Sequence, residues 1–153
     1  MITIRTAVDS DLDTLRGFEQ QLIDVERAFD RDLKAAGVRY YDLESLLAGA
    51  DSEVAVAVAV EGETVLACGY VQLRDAKAFY THARVGYIGF LFVVPSARGH
   101  GLVRRVIDAL CDWTRAQGVE HVELGVYSEN AAAIAAYERA GFAAISTTMI
   151  KAI

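Results

Sequence analysis

Residues 93–110 read VVPSARGHGLVRRVIDAL. The first of them close an apolar, strand-like run, 84–94 (RVGYIGFLFVV), which stops at the chain's only proline, Pro95. Arg98, Gly99, His100 and Gly101 follow. Beyond them Leu102, Val103, Val106, Ile107, Leu110 and Trp113 recur at helical spacing on one face. Gly118 then stands where a helix C-terminus favours glycine. A strand therefore passes through a Gly-rich turn into a helix. Backbone N–H groups can converge on an anion there, and the helix dipole adds positive potential. The turn is not a P-loop, because no Gly-Lys-Ser/Thr follows, and its G-x-G-x-x-G dinucleotide pattern is incomplete. Taken alone, R-G-H-G-L-V supports an anion site and an ordinary tight connection equally.

Toward the N-terminus, Ile2 and Ile4 alternate in a short strand. Asp9 or Ser10 is placed to cap a helix carrying Leu12, Leu15, Phe18, Leu22 and Val25 at helical intervals, and Asp11 and Asp13 suit its first turn. The mixed-charge stretch DVERAFDRDLKAAGVRYYD reads as the helix end and a loop. DLESLL (42–47) predicts a second short helix capped by Asp42. VAVAVAV (54–60) is read as a strand because β-branched residues recur at every second position before an EGE turn. TVLACGYVQL (64–73) is its hairpin partner. Toward the C-terminus, 119–127 (VEHVELGVY) predicts a strand, SENAAAIAAYERAG a short helix ending at Gly141, and FAAISTTMIKAI one or two final strands. The element order predicts an α+β fold on a mainly antiparallel sheet with one βαβ-like portion.

The 153 residues suit a single domain, 1–153, with a sizeable core. A 54% apolar composition opposes disorder. No apolar run is long enough to span a bilayer and the N-terminus lacks signal-peptide regions, so the expectation is a cytoplasmic protein with no membrane partner. A net charge of −6 disfavours nucleic acid as a partner, since such binding rests on phosphate neutralisation. Cys68, in a strand, and Cys111, in a helix, read as buried thiols. No Cys/His cluster has metal-ligand spacing, so no metal is expected.

A second motif decides between the readings of the first. In SENAAAIAAYERAGF, Asn130, Ala133, Tyr137, Gly141 and Phe142 follow Val93, Pro95, Arg98, Gly99 and Gly101. The linked patterns V-x-P-x-x-R-G-x-G and N-x-x-A-x-x-x-Y-x-x-x-G-F, separated by a long helix and a strand, closely resemble the GNAT superfamily of N-acyltransferases over about residues 86–142. The N-terminal half matches in element order. The resemblance implies a GNAT-like, mainly antiparallel central sheet with helices on both faces, whose fourth and fifth strands splay into a wedge. It also implies acetyl-CoA as cosubstrate and a primary amine, cationic or not, on a small molecule or protein as acceptor. Transfer would proceed by direct attack on the thioester through a tetrahedral intermediate. The pantetheine arm would pair with the backbone of Leu91, Phe92 and Val93, and an N–H near Leu91 would stabilise the oxyanion. Arg98 would help open the pyrophosphate cradle, formed by the amides of Gly99, His100, Gly101, Leu102, Val103 and Arg104. Asn130 would hold the pantetheine, and Tyr137 would reach the sulfur and protonate the departing thiolate. Relatives often dimerise, so a homodimer is a candidate assembly. A non-catalytic acyl-CoA-binding module is the alternative the same residues allow.

Two positions depart from the family pattern. Val103 stands where Gly or Ala is usual, and its N–H is expected to serve the phosphate still. Gly125 stands where some relatives carry a glutamate base. Glu123, Tyr87, His82, Glu26 and a water chain remain as alternatives for that role. Asp24, Glu26, Asp30 and Asp32, interleaved with Arg27 and Arg31, are candidates for holding a cationic amine. Tyr40, Tyr41, Phe79 and Tyr80 are candidates for its mouth.

Overall fold

β2 (Val54–Glu61) sits inside the sheet, and its alternating side chains serve two different helix layers. Val56, Val58 and Val60 join a core with Leu15, Phe18 and Leu43, residues of α1 (Leu12–Glu26) and α2 (Leu43–Leu47). Ala57 and Ala59 face the other way, toward Leu102, Val106 and Leu110 of α3 (Leu102–Ala116). Alternate residues of a strand point to opposite faces, so valine fills the space under α1 while alanine lets α3 approach closely. Ala67 and Gly69 of β3 (Thr64–Asp75) continue that low floor. A Cβ on Gly69 would stand 2.8 Å from Leu91 Cδ2 and 2.9 Å from Val106 Cγ1, so α3 rests directly on the glycine. Burying each large aliphatic side chain in these layers contributes about 1.5–3 kcal/mol.

The computed structural model describes residues 1–49 and 52–153. Its sheet has the order β1-β2-β3-β4-β5, with β1 at Ile2–Thr6, β4 at Arg84–Val93 and β5 at Val122–Glu123. All neighbours are antiparallel except β4 and β5. α1 and α2 cover one face and α3 the other. α4 (Ala131–Arg139) packs beside α3, where Arg104 Nη1 donates to Arg139 O at 2.8 Å. The α+β class, the mixed sheet and the helices on both faces are as the sequence predicts.

The differences are local. A 3-10 turn, Asp9–Asp11, precedes α1. Asp9 and Ser10 do not cap it. Asp11 accepts instead, from the Val8 N–H at 2.8 Å and from Nη1 and Nη2 of Arg5 at 2.7 and 3.0 Å. In α1 the buried face is Leu15, Phe18, Glu19 and Ile23, and Val25 points to solvent. Asp42 does cap α2, accepting from the Ser45 N–H at 3.2 Å. Cys68 is buried, but Cys111 is only half-buried because it lies at the margin of the α3 face.

Two corrections concern the C-terminal third. The strand expected over 119–127 shrinks to Val122–Glu123. The strands expected after Phe142 do not form: 143–153 makes no ladder, turn or bend, and every residue is exposed. The alternating apolar residues carry the β signal, but ladder formation needs a partner edge as well as propensity.

Candidate active site

β4 carries one more residue than β3 can match. Cys68 pairs with Phe92 but Tyr70 pairs with Gly89, so the extra residue bulges out around Phe90 and Leu91. Phe90 takes a positive φ of 54°, rare for a side chain of its size. Such strain costs on the order of 1–3 kcal/mol and persists only where packing fixes it. Here the Phe90 ring is buried and stacks on Tyr41 with centroids 4.7 Å apart. Bulges bend the strand that carries them. β5 follows β4 only at Gly86↔Val122 and Tyr87↔Glu123, and beyond these pairs no ladder joins the two strands. The expected wedge therefore opens just past Tyr87, along Leu91, Phe92 and Val93.

One end of the wedge leads to the Gly-rich turn. Val94 and a short 3-10 turn, Pro95–Ala97, bring the chain to Arg98, whose Nε donates to Val93 O at 3.1 Å and ties the turn to the strand. Gly99 and Gly101 both have positive φ, 81° and 73°. Gly101 is the N-cap of α3, and no side chain caps the helix. The Arg105 N–H closes the first helical turn onto Gly101 O at 3.2 Å, which leaves the N–H groups of Leu102, Val103 and Arg104 ahead of the helical ladder. A Cβ on either glycine would meet nothing within 4 Å, so the turn that precedes these donors is open on the side of both glycines. That fits a diphosphate. His100 is exposed, Leu102 is buried and Val103 is half-buried. The Arg104 guanidinium is held by Asp108 at 3.1 Å and by Arg139 O.

α4 carries the second motif. Asn130 is its N-cap, with Oδ1 accepting from the Ala133 N–H at 3.2 Å. Tyr137 lies further along, half-buried against Phe142. Its hydroxyl is pushed up to about 12, by burial first and by the Glu26 charge second.

Glu26 is the last residue of α1 and is half-buried. It accepts a 2.9 Å hydrogen bond from the Tyr40 hydroxyl. Burial raises its pKa above the ordinary value, Tyr40 pulls it back, and the Asp30 charge pushes it up. Its charge is felt by four phenols, Tyr40, Tyr41, Tyr127 and Tyr137. Asp30 accepts from the Tyr127 hydroxyl at 2.8 Å, and Phe29 stacks on the Tyr127 ring. Burial, then Asp30, push Tyr127 up to about 12. The charge at the end of α1 is thus felt in the 40–41 segment, in the chain after β5 and in α4.

The remaining base candidates separate by position. His82 stacks on His121 at 3.9 Å, before the β4–β5 ladder begins and at the closed end of the wedge. Glu123 is exposed and sits in that ladder. Tyr87 is half-buried under the Arg74 guanidinium, and its hydroxyl faces Gly125. Asp24 pairs with Arg27, and Asp32 and Arg31 are exposed. Phe79 and Tyr80 pack against each other with tilted rings in the loop before β4, whereas Tyr40 and Tyr41 line a groove with Asp42, Tyr70 and Gln72. Sequence reasoning missed Glu19. Its buried carboxylate accepts the N–H groups of Tyr40 and Tyr41 at 3.0 and 2.9 Å and fixes that segment over the groove. A charged residue on the apolar face of α1 was the available signal. Among the described residues no cluster of metal-ligating side chains occurs, and no helix is long and apolar enough to cross a membrane.

The bulged fourth strand, the wedge and the Gly-rich helix start define a GNAT-type fold. The profile of the Acetyltransferase (GNAT) family matches residues 20–142, and this chain belongs to that family. It is 36% identical over 104 residues to an IAA acetyltransferase of Azospirillum brasilense, covering 67% of this chain and 61% of that one. It is 31% identical over 104 residues to an aminoglycoside N(6')-acetyltransferase type 1 of Stenotrophomonas maltophilia, covering 66% of each. The chain thus spans less than two thirds of the length of these curated relatives. A crystal structure of a mutant BH1408 protein from Bacillus halodurans superposes with a TM-score of 0.85 over 99% of both chains at 23% identity, a likeness of fold. A predicted acetyltransferase from Clostridium acetobutylicum, solved with acetyl-CoA, has the same fold, with a TM-score of 0.74 at 18% identity over 99% of this chain and 96% of that one.

Proposed function

We propose that the protein transfers an acetyl group from acetyl-CoA to a primary amine, with Glu26 as proton acceptor and Tyr137 as proton donor. Family membership and the fit of the wedge and cradle support the donor. The observation that carries the reading is the half-buried Glu26 carboxylate, which accepts from the Tyr40 hydroxyl at 2.9 Å. The same carboxylate's charge adds to burial in raising the Tyr137 phenol.

The thioester supplies an activated acyl carbon and a thiolate leaving group. The amine acceptor arrives as ammonium and must lose a proton before it can attack. Glu26, raised from its ordinary value by burial, is a better acceptor than an exposed glutamate. Tyr40 holds its oxygen in place, and Asp30 adds negative potential that favours a cationic amine. Backbone N–H groups at the Leu91 bulge are suited to stabilise an oxyanion. Tyr137, pushed up to about 12, keeps its proton until a stronger base than the resting thiol appears beside it. Leu91, Phe92 and Val93 would pair with the pantetheine, and Asn130 would add a side-chain amide. Arg98, Gly99, His100, Gly101, Leu102, Val103 and Arg104 would surround the diphosphate, with Val103 contributing its backbone.

The test is acetyl-CoA turnover over a panel of primary amines, with Tyr137→Phe and Glu26→Gln as controls. Turnover on at least one amine, lost in both variants, is expected. Tight CoA binding with no turnover across the panel would replace this reading with a non-catalytic acyl-CoA-binding module.

A further inference from the structure

We propose that Cys68 is a positioning residue for acyl transfer: its thiol fixes the peptide between Phe90 and Leu91 so that the Leu91 N–H faces the wedge. This rests on the acetyl-CoA reading above and adds a residue to it. Cys68 Sγ donates to Phe90 O at 3.4 Å, a buried contact that crosses from β3 to β4. Burial pushes the thiol well above its ordinary value, and the Phe92 backbone pulls it back only in part. The sulfur therefore keeps its proton and acts as the donor.

The bulge is what makes such a tether useful. In a regular antiparallel ladder, main-chain hydrogen bonds orient each peptide. Here the register jumps from Cys68↔Phe92 to Tyr70↔Gly89, so Phe90 and Leu91 have no Cα partner on β3. Their side chains are held on opposite faces of the sheet. The Phe90 ring lies in the α1 layer, stacked on Tyr41. Leu91 lies in the α3 layer, over Gly69. These contacts fix the two side chains, and the Cys68 thiol holds the carbonyl of the peptide between them.

The direction of the Leu91 N–H follows from the peptide plane. The bond is trans, so the carbonyl of Phe90 and the N–H of Leu91 point opposite ways. Phe90 O is turned toward β3, where Cys68 sits, and the Leu91 N–H is therefore turned away from β3. On that side β5 pairs with β4 only at Gly86 and Tyr87, so no ladder claims the donor. A thioester carbonyl in the wedge would meet an N–H whose aim is set from the buried side of the strand. A donor aimed in advance costs no reorganisation when charge develops on the oxygen.

The test uses the full chain and an acetyl-CoA analogue in which a methylene replaces the thioester sulfur, leaving a carbon-13-labelled ketone. Hydrogen bonding to a carbonyl moves its carbon resonance downfield. The bound resonance should lie further downfield in the unaltered protein than in Cys68→Ala, and Cys68→Ser, which restores a donor, should move it back. Val58→Ala is the packing control. Val58 pairs with Cys68 across β2 and β3, and its truncation removes more of the same layer without touching the carbonyl, so the resonance should stay in place. The single-turnover rate of acetyl transfer should fall by about twofold to fivefold in Cys68→Ala, as for the loss of one weak hydrogen bond, with CoA affinity unchanged. A resonance that Cys68→Ala leaves in place would overturn the proposal. So would one that Val58→Ala moves equally, or one that Cys68→Ser does not move back. Failure of the catalytic reading looks different: no amine is acetylated, while the bound carbonyl still responds to Cys68. An analogue that the unaltered protein does not bind would overturn both.

Discussion

The hydroxyl of Tyr87 lies 3.6 Å from the point where a side chain on Gly125 would begin. Some relatives carry a glutamate base at the matching position on strand five. In this chain the space beside strand five is shared with a phenol from β4, and the proposed proton acceptor, the half-buried Glu26, comes instead from the end of α1. A methyl group at 125 would make an ordinary contact. Gly125→Ala should change stability by no more than about 0.5 kcal/mol. Gly69→Ala, where Leu91 and Val106 must move aside, should cost about 1–3 kcal/mol. Urea unfolding of the two variants measures the contrast.

Replacing Glu26 by glutamine removes the proposed proton acceptor and preserves its shape. The rate of acetyl transfer should fall by about 10²–10⁴-fold, the usual range for a general base. In the unaltered enzyme, activity should rise with pH through a midpoint above the ordinary glutamate value, because the raised pKa keeps the carboxylate protonated to higher pH. A pH–rate profile of Glu26→Gln without that rise is the expected signature. A profile unchanged in shape assigns the rise to another group.

Tyr137→Phe should lower kcat by about 10²–10⁴-fold with a smaller effect on CoA affinity. Because the hydroxyl is pushed up to about 12, its ionisation should produce no alkaline fall in activity below about pH 11. An alkaline limb near pH 9 that vanishes in the phenylalanine variant would contradict this assignment.

The cradle depends on backbone shape rather than on side chains. Gly101→Ala meets no atom within 4 Å, yet its φ of 73° is unfavourable for alanine by about 1–2 kcal/mol. CoA affinity, read by calorimetry, should fall by about tenfold as the first-turn N–H groups lose their common aim. Val103→Ala keeps its N–H and should bind CoA nearly as well as the unaltered protein.

Asp11 governs acid stability at the start of α1. The Arg5 guanidinium holds its carboxyl below the ordinary aspartate value, reinforced by the Val8 N–H and opposed by burial. Its stabilising contribution is therefore complete above the unfolded pKa and disappears as pH falls through the lower, folded one. Asp11→Asn should cost about 1–3 kcal/mol at neutral pH. It should also flatten the loss of melting temperature below about pH 4.

The sequence by itself determined the parts that rest on local pattern. The valine–alanine alternation of β2, the apolar face of α3, the Asp42 cap and the glycines before Leu102 each specify a backbone state through neighbouring residues. Two short motifs at set spacing were enough to point to the family. The tertiary structure alone decided what depends on distant parts of the chain meeting. The bulge at Phe90 has no local signal, because it is one residue too many against β3 and is held by Tyr41 from another element. Glu26 reads in sequence as one charge among several, and only packing half-buries it and brings the Tyr40 hydroxyl onto it. The C-terminal residues show the converse. Their β-forming pattern is plain in the sequence, but a strand exists only where an edge receives it, and 143–153 makes no ladder with its own sheet.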